Sequence, residues 1–148
     1  VSMRAVYRVL PDALKSRIDG RYAIHSYATS RDAIDSKLMT EAERQALPPV
    51  RQPMVLHDEN GLNPSLYLGS HACAVEGLPE LEGQQLIQEL MEFATQPEFI
   101  FTHAWTQYDL VMWDNRAVIH RATPYRQDDE RRHMVRTTIA GSCPISKD

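Results

Sequence analysis

Long apolar runs are missing from this chain. No stretch approaches the roughly 18 consecutive apolar residues that mark a membrane-spanning helix, which excludes that class and leaves no membrane partner to expect. Cysteine is scarce. Cys73 and Cys143 are the 2 present, too few for a disulfide framework, and a reducing, cytoplasmic setting is the expectation. An excess of positive charge is also missing. Lys and Arg number 16 against 20 Asp and Glu, for a net charge of −4 and a pI near 5.9, which argues against a general nucleic-acid binder. No internal repeat, low-complexity tract or linker interrupts the chain. It begins Val1-Ser2, with neither an initiator Met nor the basic, apolar and small-residue regions of a signal peptide.

What is present is ordinary for a globular protein. The 148 residues are 43% apolar and 24% charged, and the length fits one domain with one core. Ser2 can cap a helix bearing Met3, Val6, Tyr7 and Leu10 on one face. Pro11 restarts the chain into a second short helix with Leu14 and Ile18, which Gly20 stops. Tyr22 to Tyr27 reads as a strand. Thr40-Glu41-Ala42-Glu43 is a capping box, so a helix runs from Thr40 to Leu47 and ends at Pro48-Pro49. Val50 to Leu56 reads as extended, His57 to Gly61 as a turn, and Ser65 to Val75 as strand.

Pro79 opens a longer helix with Leu81, Leu86, Leu90, Met91 and Phe93 as its apolar stripe, and Pro97 closes it. This helix reads as a cover on a sheet. Beyond it the pattern switches to period two. Phe99, Phe101, His103 and Trp105 alternate with Ile100, Thr102 and Ala104 as in a strand. Asp109 to Trp113 and Ala117 to His120 read as strand, turn, strand about Asp114-Asn115-Arg116, and Met134 to Ala140 as a last strand. The expectation is an α+β chain with a strand-rich second half.

The chemistry concentrates in residues 109–136. His120 ends an apolar strand, where a neutral imidazole is either a metal ligand or a packed core histidine. Arg132 and Arg136, on one strand, would point the same way. They could grip a carboxylate with both of its oxygens, or line a solvated edge paired to Asp128, Asp129 and Glu130.

Taken whole, Met112-Trp113-Asp114-Asn115-Arg116, then His120, then Arg132 and Arg136 followed by Thr137-Thr138, resembles the taurine/2,4-dichlorophenoxyacetate dioxygenase (TauD/TfdA) family of Fe(II)- and 2-oxoglutarate-dependent oxygenases. His71-Ala72, Val75-Glu76-Gly77-Leu78 and Ala94-Thr95-Gln96-Pro97-Glu98-Phe99 resemble its phenoxyacetate branch, as does the run His120 to Tyr125. The resemblance covers nearly the whole chain. It implies a double-stranded β-helix (a jelly roll, cupin-like) with flanking helices, incomplete in this chain, with residues 1–148 as the C-terminal portion of a single dioxygenase domain. It implies Fe(II), 2-oxoglutarate and O2 as cofactor and cosubstrates. His120 matches the distal histidine of the iron triad, Trp113 the tryptophan bordering the cosubstrate, and Arg132 the clamp on the far carboxylate of 2-oxoglutarate. Arg131 competes for that last role, because the preceding loop is one residue longer here. Arg136 matches a second arginine near the cosubstrate and the anionic group of the substrate.

The resemblance also implies a first histidine and a carboxylate spaced His-x-Asp or His-x-Glu. Of the 6 histidines, only the one in His57-Asp58-Glu59 has that spacing, and it falls in a surface turn. The family's His-x-Asp, and a threonine that follows it, are therefore expected upstream of Val1, in a chain roughly twice this long. Three readings result. The chain is part of an oxygenase acting on a small phenoxyalkanoate- or sulfonate-like anion. Or it is a truncated or non-catalytic subunit that needs a partner segment. Or His57 and Glu59 rebuild the triad locally. Self-association into a homo-oligomer stays open.

Overall fold

The computed structural model describes residues 1–35, 38–58, 60–126, 128–129 and 131–140. Two short helices lead. In α1 (Met3–Val9) the Ser2 hydroxyl accepts from the Ala5 N–H at 3.3 Å, supplying one of the bonds that a helix start lacks. Pro11 precedes α2 (Asp12–Ile18), and Gly20 then turns the chain at a φ of +64°. Strand β1 (Tyr22–His25) follows, then α3 (Tyr27–Asp32), α4 (Glu41–Ala46), β2 (Val50–Pro53), β3 (Val55–Leu56), β4 (Ser65–Leu66), β5 (Ala72–Val75) and α5 (Glu80–Ala94). A 3-10 turn spans Pro97–Phe99.

The strands form two antiparallel units. One is a three-stranded sheet in the order β2-β1-β5, and the other is the pair β3-β4. In the first, Tyr22 faces Pro53 and His25 faces Val50, and the β1–β5 register shifts between Ile24 and His25. Helix α5 packs on β5 as a cover on the sheet, and α1 packs on β4. Met3, Val6, Leu10, Ile18, Ala23, Met54, Leu66, Val75, Leu86 and Leu90 form one buried cluster between them. Each large side chain in it contributes about 1.5–3 kcal/mol of burial.

The helix reading of α1, α2, α4 and α5 agrees with the structure, including both halves of the Thr40–Glu43 capping box. The extended reading of 50–56 divides into β2 and β3, and that of 65–75 into β4 and β5. Helix α3 is unanticipated. Its signal was Ser26, whose hydroxyl accepts from the Thr29 N–H at 3.1 Å, but no buried face marks it.

The second half departs from expectation. Residues 100–113 and 131–140 form no strand, and 117–120 has only one bridge, from Val118 to Ser2. Alternation specifies a face to bury, but a strand exists only when a neighbour takes its N–H and C=O groups. Among the described residues, nothing pairs with these segments except at 117–119. Their apolar side chains stand open, with Phe101 at 81%, Leu110 at 85% and Val135 at 91% exposure. The accessible surface reflects this. It is 11357 Å², against roughly 7,700 Å² for a compact monomer of this mass.

One packing constraint can be tested. A Cβ on Gly83 of α5 would lie 3.0 Å from the Val75 backbone nitrogen of β5. Alanine is worth about 1 kcal/mol more than glycine in a helix interior, but here it must push α5 off a sheet strand, at about 1–3 kcal/mol. Gly83→Ala is therefore expected to lower the urea midpoint of unfolding. A midpoint at or above wild type would show that the α5–β5 contact yields freely.

Candidate functional site

The segment carrying His120 is tied back to the start of the chain. Met3 N–H donates to the Ala117 carbonyl at 2.8 Å, Ile119 N–H to Val1 at 3.2 Å, and the Val1 amino group to Ile119 at 3.0 Å. These bonds make a short antiparallel ladder centred on Ser2 and Val118. Ala117 is buried and Ile119 packs against the core cluster. Side chains alternate along an extended segment, so His120 emerges on the open side.

The turn before the ladder is held from both ends. The Asp114 carbonyl accepts the Ala117 and Val118 N–H groups at 2.9 and 3.1 Å. Its carboxylate accepts the Arg116 N–H at 2.9 Å and the Arg116 Nε at 3.3 Å, and lies 3.7 Å from the Arg4 guanidinium of α1. The buried Ser65 hydroxyl of β4 donates to the Arg116 carbonyl at 3.2 Å. Partial burial pushes the Asp114 carboxyl up. The Arg116 hydrogen bonds and the charges of Arg116 and Arg4 outweigh it, and the net shift is below the usual aspartate range.

Inside this frame the structure brings two expected site residues together. The Trp113 indole lies 4.6 Å from the His120 ring, centroid to centroid, tilted by 56°. Its Nε1–H donates to Asn115 Oδ1 at 2.8 Å. Arginines 131, 132 and 136 stand outside the pair. Arg132 sits over Tyr125 with its guanidinium 5.8 Å from the ring centre, and Arg131 and Arg136 are exposed. Residues 131–140 are not a strand, so the shared direction expected for Arg132 and Arg136 has no strand to impose it.

Three of the other histidines, His25, His71 and His103, are engaged elsewhere. His103 Nε2 lies 3.0 Å from Asp109, and its ring meets Trp105 edge-on, within a loop where Asp109 also accepts the Thr106 N–H. His71 shares a 2.7 Å hydrogen bond with Ser30. His25 stacks on Tyr67, and its buried Nε2 has no partner among the described residues. Burial, with His71 nearby, lowers its pKa. In the turn after β3 the Asp58 carboxylate accepts from Leu62 and Asn60 N–H and from Asn63 Nδ2, so it closes its own loop. Glu59, the partner in the local-triad reading, lies outside the described residues, as does Cys143. Among the described residues, no group of three His, Cys, Asp or Glu side chains could hold a metal ion. The described part of the chain does not by itself fit an iron. No described helix is long and apolar enough to cross a membrane.

The model of the taurine catabolism dioxygenase TauD, TfdA family matches residues 1–138. The chain belongs to that family. It is 44% identical over 136 residues to an alpha-ketoglutarate-dependent 2,4-dichlorophenoxyacetate dioxygenase of Cupriavidus pinatubonensis, covering 92% of this chain and 47% of that protein. It is 37% identical over 146 residues to an (S)-phenoxypropionate/alpha-ketoglutarate dioxygenase of Sphingobium herbicidovorans, covering 94% and 50%. The crystal structure of AAD-2 with Mn(II) and N-oxalylglycine superposes with a TM-score of 0.72 at 40% identity, over 78% of this chain and 46% of that one. The chain thus spans about half the length of the curated relatives it matches.

The Asp114 shift sets a pH test. A carboxyl depressed in the folded state contributes stability above its unfolded pKa of about 3.9, and that contribution is lost as pH falls through the lower folded value. The Arg116 amide resonance should move with a midpoint below about 3.9 and stop titrating in Asp114→Asn. A midpoint at or above the ordinary value would remove Asp114 as the anchor of the turn.

Proposed function

We propose that this chain forms the C-terminal portion of a single Fe(II)- and 2-oxoglutarate-dependent dioxygenase domain. The reaction is hydroxylation of a C–H bond in a small anionic substrate. One O2 and one 2-oxoglutarate are consumed, giving the alcohol, succinate and carbon dioxide. The observation that carries the reading is the Trp113–His120 pair, held at the end of a core-anchored ladder inside the family match.

Each residue then has a role. His120 is the iron ligand supplied by this chain, and Trp113 borders the cosubstrate with its ring. Arg132, with Arg131 as competitor, grips the far carboxylate of 2-oxoglutarate, and Arg136 offers a fixed charge to the anionic end of the substrate. Iron, when bound, supplies the oxidation, while the protein's part is to orient the reactants and exclude water. N-oxalylglycine, bound with Mn(II) in the AAD-2 crystal, has the oxalyl end and remote carboxylate of 2-oxoglutarate, with N–H replacing one methylene. Relatives named for phenoxyalkanoates lead the comparison, and one from Pseudomonas putida is named for sulfate esters, so the substrate class we favour is a phenoxyalkanoate, then a sulfonate or sulfate ester.

The remaining ligands, His-x-Asp, come in this reading from a segment that the chain does not contain. That segment would also complete the jelly roll, giving the alternating residues 99–105 and 134–140 the strand partners they lack among the described residues. The test is succinate release by the chain joined with such a segment. His120→Ala is expected to lower turnover at least about a hundredfold, since even the residues behind a metal ligand are worth up to that factor. Turnover that survives the substitution would end the iron assignment.

The lack of a metal-holding group among the described residues favours a second reading, in which the chain alone is a non-catalytic subunit. Titrating Fe(II) and 2-oxoglutarate into the isolated chain tests the incomplete site that both readings share, and succinate release once the missing segment is joined separates the two. Weak binding of both is expected, and tight binding of both would mean that the site is complete without a partner.

A further inference from the structure

The roles assigned above leave Asn115 without one. We infer that Asn115 is a positioning residue, which sets the orientation of the His120 imidazole through the Trp113 indole. Its functional meaning rests on the reading of His120 as a metal ligand, while the coupling itself rests on the geometry of the turn.

An indole has one polar atom, and it can only donate. Trp113 sits in a segment without regular structure and is 40% exposed, so burial does not lock its ring. The torsion that swings an indole is broad and roughly two-fold. The 2.8 Å bond from Nε1–H to Asn115 Oδ1 selects one of those orientations. Asn115 can act as the anchor because its own backbone is fixed on both sides. The Asp114 carboxylate takes the Arg116 N–H, and the Asp114 carbonyl takes the next two N–H groups. The chosen indole orientation lays the ring 4.6 Å from His120 and at 56° to it, walling off one side of the imidazole. His120 follows the ladder directly, so its backbone is set by the core and its ring by Trp113. The indole N–H is already spent on Asn115. Trp113 therefore meets a neighbouring cosubstrate with ring surface and offers it no hydrogen bond.

The experiment is proton NMR of the 148-residue chain carrying Trp105→Phe, which leaves Trp113 as the one tryptophan of the 2. Two signals are followed, the exchange of the indole N–H with water and the ring-current displacement of the His120 ring protons. Asn115→Leu is expected to speed the exchange about two- to tenfold, the worth of a typical net hydrogen bond. The His120 displacement should collapse toward its value in Trp113→Leu. Asn115→Asp keeps an acceptor oxygen and is expected to retain both signals. A His120 displacement unchanged in Asn115→Leu overturns the inference, and so does an Asn115→Asp that behaves like the leucine variant. Asn115 is exposed, and unchanged amide signals from α5 in each variant exclude a general loss of fold. Turnover of His120→Ala in the chain joined with the His-x-Asp segment separates this inference from the ligand assignment. If that turnover survives while the Asn115 dependence persists in the 148-residue chain, the ligand assignment fails and the positioning role stands.

Discussion

The antiparallel ladder between Val1–Met3 and Ala117–Ile119 is the constraint on which the site depends. Backbone bonds of 2.8–3.2 Å join two segments more than a hundred residues apart. On one side Met3 begins α1 and is buried, while on the other Ala117 is buried and Ile119 packs on the same cluster. His120 thus takes its position from the hydrophobic core without belonging to it. Such a link is expensive in chain entropy, since closing a long loop costs more than closing a short one. It holds because burial on both flanks adds to the bonds. The Ser65–Arg116 contact, from a strand that α1 already covers, adds a second tie at the same place.

The same principle explains what lies beyond the ladder. A strand is a shared structure, since half of its hydrogen bonds belong to its neighbour. Where 117–119 finds Val1–Met3, extended pairing forms. Where 100–113 and 131–140 find no neighbour among the described residues, the same kind of sequence stays open, with its apolar side chains in solvent. An apolar alternating segment left in this state is a pairing surface, and it is a liability unless something covers it. The proposed function resolves that tension with one segment, which would bring both the missing ligands and the missing strands.

This contrast also marks what could be read in the sequence. The helices were legible because their signals are local, namely Ser2 and Thr40 as caps, Pro11 and Pro79 as starts, and Gly20 as a stop. The strands β1 to β5 were legible in outline, since they pair with each other within residues 22–75. The alternating segments 100–113 and 131–140 form no strand, because alternation encodes which side is buried and says nothing about who is next door. In the site, Trp113 and His120 stood out as a motif, and the structure joins them. Arg132 and Arg136 stood out equally, but their direction depends on a strand that is not formed. The bonds made by Asp114 and Asn115 were out of reach, because they depend on how one turn folds back on itself rather than on spacing.

Residues 113–116 show why a short motif can be so demanding. The ladder that delivers His120 is brief, and a brief ladder fixes a backbone without fixing a side chain. The turn divides the remaining work. Asp114 ties the backbone through Arg116 and reaches Arg4 on α1, which adds a weak tether between the turn and the core. Asn115 uses its uncharged oxygen to hold the indole, and Trp113 uses its face to wall the imidazole. A carboxylate at 115 could also accept the indole N–H, but it would add a negative charge beside Asp114 in the same turn. The neutral amide gives the bond without that repulsion, and it keeps the field around His120 free of a second fixed anion. That matters if His120 shares a metal with an incoming dicarboxylate, since a fixed anion this close would compete with the cosubstrate for the same positive charge.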